Sequence, residues 1–432
     1  MKPERARFFA EETWTGGVVG LGYVGLPLAV TIVRRGLPVI GFDVSEELVE
    51  SIRSGISHVE DVTDAELAEA LENGLTVTAE RNRLSDCDAL FLCVPSPLGR
   101  HREPDLSYIQ AAADTVSAVV RPGMLVSLES TTYPGTTEDI MVPAATSGGL
   151  KLDEDVFVAF SPERVNPGAK MKTGEIPKVV GGITATSTAV AAAAYSRIVA
   201  SVYPVASART AEMAKLLENT YRAVNIALVN EMAQLADELD IDIWETIDAA
   251  ASKPFGYQPF YPGPGVGGHC IPLDPQFLAW RAKEAKFATR FIDIAEQVNT
   301  QMPRYTAGRV AGLLNSLGKP VFGTHILGVG IAYKPDIADD RESASIEVLR
   351  ELERLGAEIS VLDPVVGIER IKEHGFASVE PGDDLSDFAV AVLLTDHSTF
   401  DLAAIAAAVP AVLDTRGAYR RGGIDRDNVT PL

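Results

Sequence analysis

The sequence predicts an α/β protein with two doubly wound, parallel-sheet domains that are joined by a long central helix and a small helical domain. Apolar strands alternate with helices over about the first 200 residues, and the same alternation returns near the C-terminus. An unbroken helical pattern lies between the two regions. We therefore predict domains at 1–207, 208–305 and 306–432, and a chain of 432 residues is long enough for several cores.

The composition is that of a soluble globular protein, with 46% hydrophobic and 23% charged residues. Its formal net charge of −22 argues against nucleic acid and anionic membranes as partners. We expect no membrane span and no signal peptide, because no apolar run of the required length occurs. Three cysteines, Cys87, Cys93 and Cys270, argue against a disulfide framework and favour the reducing cytoplasm.

A glycine turn lies between the first predicted strand and the first amphipathic helix. Gly20, Gly22 and Gly25 form a G-x-G-x-x-G pattern there, and Asp43 ends the next strand. Such glycines let a pyrophosphate approach the helix N-terminus, while the acid binds ribose hydroxyls. The pattern predicts a Rossmann-like dinucleotide site, and the acidic residues after Asp43 favour NAD over NADP. Because Gly16 precedes another glycine, we expect the first strand to be short or frayed.

The next strands of this domain are predicted at 89–94, 124–130 and 156–160. The tetrapeptide SPER, which contains Glu163 and Arg164, follows the last of these runs directly. Open α/β sheets bind ligands beyond the carboxyl ends of their strands. The tetrapeptide is therefore a candidate site, and an ordinary surface turn is the alternative.

From Ala208 the apolar residues recur in steps of three and four, which predicts one helix about 45 to 50 Å long. A helix of this length bridges domains or forms a subunit interface. Its apolar stripe comprises Met213, Leu217, Tyr221, Val224, Leu228, Met232, Leu235 and Leu239. A second face carries Lys215, Asn219 and Arg222, and spacing alone leaves open whether that face is functional or solvated.

Residues 261–275 read YPGPGVGGHCIPLDP and place Cys270 in backbone rich in glycine and proline. Cores are seldom built from such sequence, although a small buried hydrophobe is the commonest fate of a cysteine. Composition alone leaves a reactive and a buried thiol open. Asp274, four residues later, supplies a carboxylate that can orient water or balance charge near the thiol.

The last domain repeats the first architecture without repeating its sequence. Lys334 and Arg341 follow its first strand and form a basic site suited to phosphates in an acidic protein. Its strands are predicted at 325–334, 357–364, 389–396 and 411–417, with a helix at about 343–355.

Eight motifs along the chain together resemble the UDP-glucose/GDP-mannose dehydrogenase family over nearly its whole length. In order they are GLGYVGLPLA, CVPSPL, ESTTYPGTTED, SPERVNPG, the Lys215-x-x-x-Asn219 helix, GPGVGGHCIPLDP, AYKPDIADDRES and VLDTRG. The combination of SPERVNPG, IPKVVGG and the cysteine segment is similar to the UDP-N-acetylhexosamine branch. The chain departs from the UDP-glucose branch at Pro167, which replaces a second glutamate, and Leu48 stands where relatives often carry a basic residue.

The resemblance implies a four-electron oxidation in which two NAD⁺ convert the C6 alcohol of UDP-N-acetylglucosamine to a carboxylate, without a metal. Cys270 would form a thiohemiacetal and then a thioester. Lys215 and Asn219 would stabilise the oxyanion. Glu163 and Asp274 would handle protons and the hydrolytic water. Thr131 would lie near the nicotinamide.

The resemblance also implies the binding residues. The apolar stripe of the long helix exceeds what one domain could cover, and it therefore predicts a homodimer through that helix. The NAD contacts are Gly20, Gly22, Tyr23, Val24, Gly25, Asp43, Pro95, Thr131 and Lys334. The UDP-sugar contacts are Glu163, Arg164, Val165, Lys215, Asn219, Arg222, Tyr261, Gly267, Lys334 and Arg341.

Several alternatives remain open at this stage. UDP-N-acetylmannosamine is the nearest alternative substrate, and UDP-glucose is the next. A non-catalytic NAD-binding module would have no physical need for Lys215, Asn219, Cys270 and Asp274 together. A single-step β-hydroxyacid dehydrogenase would need neither Cys270 nor a second nucleotide-like domain.

Overall fold

The computed structural model describes residues 2–99, 102–164, 173–268 and 270–432. The chain divides into two compact units. The N-terminal unit comprises Met1–Glu218 and Gln276–Phe287, and the C-terminal unit comprises Asn219–Pro275 and Ala288–Leu432. Within the described residues, no helix combines the length and apolar character needed to cross a membrane.

The N-terminal unit contains one eight-stranded sheet in the order β3-β2-β1-β4-β5-β6-β7-β8. Its strands are β1 Gly16–Val19, β2 Val39–Phe42, β3 Leu75–Thr78, β4 Ala89–Leu92, β5 Leu125–Leu128, β6 Phe157–Phe160, β7 Lys178–Gly182 and β8 Val202–Val205. All neighbours pair in parallel except β6 and β7. The order of the first six strands is that of a doubly wound dinucleotide-binding sheet, so the predicted fold class is confirmed.

The C-terminal unit contains a six-stranded, wholly parallel sheet in the order β11-β10-β9-β12-β13-β14. Its strands are β9 His325–Val329, β10 Glu358–Leu362, β11 Ala377–Val379, β12 Val390–Leu393, β13 Ala411–Asp414 and β14 Val429–Pro431. The first strand again lies in the middle, with its second and fourth strands on either side. The two sheets therefore share one topology although their sequences differ.

Helices connect the strands of both units and supply the middle of the chain. They are α1 Lys2–Glu11, α2 Gly25–Arg34, α3 Glu46–Arg53, α4 Asp64–Glu72, α5 Ser107–Val119, α6 Val142–Ala145, α7 Ala185–Ser196, α8 Ala208–Glu238, α9 Ile243–Ala251, α10 Cys270–Glu284, α11 Arg290–Ser316, α12 Ala344–Arg354, α13 Ile368–Glu373, α14 Leu402–Ala408 and α15 Ala418–Arg421. The predicted long helix is confirmed as the 31-residue α8.

Helices cover both faces of the N-terminal sheet, and its buried side chains form two apolar layers. On β4, Phe91 belongs to one layer while Leu90 belongs to the other, as the alternation of side chains along a strand requires. Helix α1 adds Phe9 to the first layer, where it meets Trp14 edge to face. The sheet is therefore buried on both sides, which explains its nearly continuous apolar strands.

The first strand is short, with four residues, but it is not frayed. Both Gly16 and Gly17 lie within β1 and pair with β2 on one side and β4 on the other. A Cβ atom on Gly17 would lie 2.6 Å from the Leu90 side chain and 2.9 Å from the Cys87 sulfur. Glycine is used here because neighbouring side chains fill the space above the strand, which an apolarity pattern does not reveal.

Candidate active site

The glycine turn between β1 and α2 is shaped by close backbone contacts. Gly20 has φ +88°, and a Cβ atom there would lie 2.7 Å from the Cys93 carbonyl oxygen. A Cβ atom on Gly25 would lie 1.8 Å from the Gly20 carbonyl oxygen. By contrast, a Cβ atom on Gly22 would meet no described atom within 4 Å. The turn is thus tightly packed at Gly20 and Gly25 but open at Gly22. This open position lies at the N-terminus of a helix, where a pyrophosphate fits.

Asp43 directly follows β2 and is held beside this turn. Its Oδ2 accepts a hydrogen bond from the Leu21 N–H at 2.9 Å, and its Oδ1 accepts one from the Ser45 N–H at 3.0 Å. Each carboxylate oxygen retains acceptor capacity for a ribose hydroxyl. The described residues at this edge of the sheet therefore fit an NAD molecule.

The other predicted cofactor residues of the N-terminal unit surround the same strand ends. Tyr23 and Pro95 are exposed, and Val24 and Thr131 are half-buried. Leu48, the departure from a basic residue, is half-buried on α3 and packs against the apolar core. It therefore offers no charge to the cofactor.

We expect two alanine substitutions in the turn to separate packing from cofactor binding. Gly25→Ala should lower the free energy of unfolding of the ligand-free protein by about 1 to 3 kcal/mol, because its Cβ collides with the Gly20 carbonyl. Gly22→Ala should leave that stability unchanged and raise the Kd for NAD about tenfold, because its Cβ enters the space for the phosphates. Thermal unfolding and calorimetric NAD titration measure the two effects. A lowered Tm of ligand-free Gly22→Ala would contradict the open position of that residue.

Thr131 begins a loop after β5 that is fastened to α8 by Glu212. The fully buried Glu212 carboxylate accepts hydrogen bonds from the Gly135 N–H at 2.6 Å and from the N–H and hydroxyl of Thr137 at 2.9 and 2.7 Å. Burial raises the pKa of Glu212, and these donors oppose the shift. The sequence prediction missed Glu212, although its place three residues before Lys215 on one helix was the available signal.

Glu163 follows β6 and lies against two lysines. The buried Lys215 on α8 donates from Nζ to the Glu163 carbonyl oxygen at 2.6 Å. The Nζ of Lys178, at the start of β7, lies 3.5 Å from Glu163 Oε2. Neither the surface-turn interpretation of Glu163 nor the solvated-face interpretation of Lys215 is correct, and Lys178 was not predicted.

Arg164 makes its contacts with α8 and with the chain before β7. Its guanidinium donates to both carboxylate oxygens of Glu218, at 2.6 and 3.2 Å, and to the Pro177 carbonyl oxygen at 2.8 Å. Val165 and Pro167, which also figured in the sequence analysis, lie outside the described residues.

In the C-terminal unit, Asn219 and Asp274 form a buried polar pair. Their exposed fractions are 1% and 3%, and Asn219 Nδ2 donates to Asp274 Oδ2. The Oδ1 atom of Asn219 is buried without a hydrogen-bond partner among the described residues. A buried acceptor of this kind is costly unless a ligand or water satisfies it, so the pair is a candidate binding position.

Cys270 is exposed and forms the first residue of α10. The expectation of a cysteine within a loop therefore needs correction, because the helix begins at the cysteine itself. Asp274 lies one turn later on the same helix, so Cys270 and Asp274 share a face. The N-terminus of a helix favours negative charge, as on a thiolate.

Glycines before Cys270 let this segment pack onto the loop that follows β9. A Cβ atom on Gly267 would lie 2.8 Å from the Glu342 carbonyl oxygen and 3.0 Å from Tyr333 Cβ. Gly268 has φ +82°, and its Cβ would lie 2.8 Å from the Tyr333 ring. The cysteine segment is thereby brought against the segment that carries Lys334 and Arg341.

The predicted phosphate site is partly neutralised within the C-terminal unit. The Arg341 guanidinium donates to both carboxylate oxygens of Asp339, at 2.8 and 2.6 Å, and Lys334 is half-buried on the same segment. Asp339 therefore opposes the positive charge of Arg341 within the C-terminal unit.

Two further predicted substrate residues lie on separate elements of the C-terminal unit. Tyr261 stacks on Trp244 with ring centroids 5.5 Å apart and donates its hydroxyl to Asp248 at 2.9 Å. That hydrogen bond raises the pKa of Tyr261. Arg222 is exposed on α8, whereas Asn219 on the predicted common face is buried.

The chain belongs to the UDP-glucose/GDP-mannose dehydrogenase family. Residues 16–199 match its NAD binding domain, 209–301 its central domain and 327–421 its UDP binding domain. The protein is an NAD-dependent UDP-sugar dehydrogenase, as predicted, and NAD is its cofactor. Membership of this family argues against a non-catalytic NAD-binding module and against a β-hydroxyacid dehydrogenase.

Relatives of similar identity differ in the substrate that their names give. UDP-N-acetyl-D-glucosamine 6-dehydrogenase of Salmonella typhi is 35% identical over 366 residues, which are 84% of this chain and 85% of that protein. UDP-N-acetyl-D-mannosamine dehydrogenase of Methanococcus maripaludis is 35% identical over 390 residues, 89% of this chain and 86% of that protein. The solved structure of the UDP-D-ManNAc dehydrogenase from Pyrococcus horikoshii matches with a TM-score of 0.84 and 32% identity over 97% of each chain.

Proposed function

We propose that this enzyme oxidises the C6 hydroxyl of a UDP-N-acetylhexosamine, specifically UDP-N-acetylglucosamine, to the uronic acid. The observation that carries the oxidation to an acid is the buried Asn219–Asp274 pair one helical turn from the exposed Cys270. The choice of UDP-N-acetylglucosamine rests on the similarity to dehydrogenases named for that sugar. A single alcohol oxidation needs no nucleophile, whereas oxidation to an acid needs a covalent or hydrated aldehyde. The cysteine and the buried Asn219–Asp274 pair together fit the second requirement.

NAD⁺, when bound, accepts a hydride from C6 in each of the two oxidations. Between them, the Cys270 thiolate adds to the aldehyde carbon and forms a thiohemiacetal. Loss of the second hydride leaves a thioester, which a water molecule hydrolyses to the acid and the thiol. The sum is one sugar, two NAD⁺ and one water converted to a carboxylate, two NADH and three protons.

The remaining groups serve charge and protons. Lys215 and Asn219, one turn apart on α8, would stabilise the oxyanion of the thiohemiacetal and of thioester hydrolysis. Asp274, held by Asn219, would orient the hydrolytic water. Glu163 would accept protons, and Thr131 would lie on the nicotinamide side.

Substrate contacts are proposed for the remaining predicted residues of both units. They are Arg164, Val165, Arg222, Tyr261, Gly267, Lys334 and Arg341. We assign Lys334 to both the sugar nucleotide and the cofactor, and we place the reaction in the cytoplasm, where thiols stay reduced.

Kinetics with a set of nucleotide sugars test the substrate. We expect the highest kcat/KM with UDP-N-acetylglucosamine, lower values with its mannosamine and galactosamine epimers, and the lowest with UDP-glucose. A loss of one set of buried polar contacts costs about 1 to 3 kcal/mol, so the preference should reach about tenfold. A higher kcat/KM with UDP-N-acetylmannosamine would transfer the assignment to that sugar.

We also propose a homodimer that forms through α8. In the C-terminal unit the side chains of Tyr221, Leu228 and Leu235 are each about half exposed and recur every seven residues. Leu239 extends the same stripe. Apolar residues at heptad spacing on a long helix are typical of a helix–helix interface.

Leu228→Arg should convert the dimer to a monomer, because it places a charge in the centre of the stripe. Light scattering after size exclusion measures the mass. Leu355→Arg is the matched control, since Leu355 is exposed by 49% and Leu228 by 54%, but Leu355 follows α12. A dimer that persists in Leu228→Arg, or a wild-type monomer, would contradict the interface.

A further inference from the structure

A buried charged cluster lies beneath Glu163 in the N-terminal unit. Lys178 is 4% exposed and Glu129 is fully buried, and Lys178 Nζ donates to Glu129 Oε2. The Tyr195 hydroxyl donates to Glu129 Oε1 at 2.6 Å and lies 2.8 Å from the Ser127 hydroxyl. Glu129 is thus anchored from the sheet and from α7, and it fixes the position of the lysine.

The same lysine reaches Glu163, whose Oε1 also accepts a hydrogen bond from the Arg164 N–H at 2.6 Å. Its Nζ lies 3.5 Å from the Glu163 side-chain Oε2, while Lys215 donates to the Glu163 carbonyl oxygen at 2.6 Å. One buried lysine therefore acts on the carboxylate and the other acts on the main chain. These contacts fix the direction of the Glu163 side chain beyond the end of β6.

The charges of the cluster are coupled. Burial by itself lowers the pKa of Lys178, but Glu129 and Glu163 raise it, and the net shift is upward. Burial raises the pKa of Glu129, which Lys178 opposes. One ammonium is therefore shared between two carboxylates.

The other titratable groups around the cluster come from four elements. Cys93 after β4 and Tyr195 on α7 both have pKa values raised well above the ordinary range, chiefly by burial, so they stay neutral. Lys215 and Glu218 lie on α8, and Glu218 is paired with Arg164. Lys178 and Glu129 are thus the charged groups whose removal tests the coupling.

We infer that Lys178 is a positioning residue for Glu163, and that Glu129 sets how strongly the Lys178 ammonium acts on the Glu163 carboxylate. The inference rests on the proposed role of Glu163 as a proton acceptor. It assigns a function to a buried ion pair that otherwise costs desolvation for little stability. Without the lysine, Glu163 would lose the contact that directs its Oε2 and the charge that favours its ionised form.

The pH dependence of kcat/KM should respond in opposite directions to the loss of each partner. Lys178→Met removes the cation next to Glu163, so the acid limb of the profile should move about one pH unit upward. Glu129→Gln removes the competing anion, so the acid limb should move downward by about half a unit. Loss of packing alone does not predict opposite shifts.

Three controls make the test decisive. Tyr195→Phe removes a hydrogen bond to Glu129 without changing charge and should leave the limb in place. Lys178→Arg keeps the charge and should restore most of the wild-type profile. Lys178→Met leaves Glu129 buried without its cation and could therefore fail to fold. In that case the double variant Glu129→Gln/Lys178→Met replaces it, and the acid limb of the double variant should also move upward.

Glu163→Gln separates the inference from the role on which it rests. The first outcome to consider is that Glu163→Gln abolishes the acid limb. If the limb then stays fixed in Lys178→Met and Glu129→Gln, or moves in the same direction in both, the inference about Lys178 is overturned. If the limb survives in Glu163→Gln, the proton-accepting role of Glu163 fails, and the inference fails with it. Opposite shifts in the two variants support it.

Discussion

Cys270→Ser should lower the rate of uronic acid formation by about 1,000-fold or more. Serine has nearly the same size, but its hydroxyl is a weaker nucleophile and its ester hydrolyses more slowly than a thioester. The exposed position of Cys270 at the start of α10 means that the substitution removes little packing. Acid product and NADH, both measured against time, report the effect.

The matched control for this prediction is a cysteine away from the proposed chemistry. Cys87 is fully buried beside Gly17, so Cys87→Ala should reduce stability but keep the activity of the folded protein. Unimpaired acid formation by Cys270→Ser would show that no covalent step occurs at this residue.

Lys215→Met should reduce kcat by about 100- to 1,000-fold, the usual cost of losing an oxyanion donor in a dry site. Lys215 is buried, and its ammonium also holds the Glu163 carbonyl, so methionine removes charge and positioning together. Steady-state kinetics with saturating sugar and NAD measure kcat.

Two variants on α8 bracket this result. Lys215→Arg keeps the charge in a different geometry and should recover part of the lost rate. Arg209→Met removes an exposed cation of α8 that pairs with Glu138, a residue just before α6, and it should leave kcat unchanged. A kcat within about fivefold of wild type in Lys215→Met would contradict the oxyanion role.

Local patterns predicted the elements of this fold better than their packing. The repeated strand–helix alternation predicted the two observed sheets, and the glycine pattern predicted the turn at Gly20. Both signals could be recognised because each lies within a short stretch of sequence. The fraying of β1 was expected wrongly because the need for Gly17 comes from Leu90 and Cys87, which lie far from it in the sequence. Periodicity identified the stripe that contains Leu228, and this side chain is exposed in its own chain, as the predicted dimer requires.

In the candidate site, too, the residues could be predicted from motifs but their contacts could not. Asn219 and Asp274 were predicted from motifs, yet their hydrogen bond joins residues 55 positions apart and could be seen only in the structure. Lys178 escaped prediction because it belongs to a strand, and only the fold brings it to Glu129 and Glu163. Interactions between distant segments carry no periodic signal in a single sequence.

The most direct test of the four-electron mechanism is the amount of NADH formed from a limiting, known amount of UDP-N-acetylglucosamine. The wild-type enzyme should form about two NADH per sugar, with the uronic acid as the product. A ratio of about one, with the aldehyde as product, would contradict the thioester mechanism and the role of Cys270 within it.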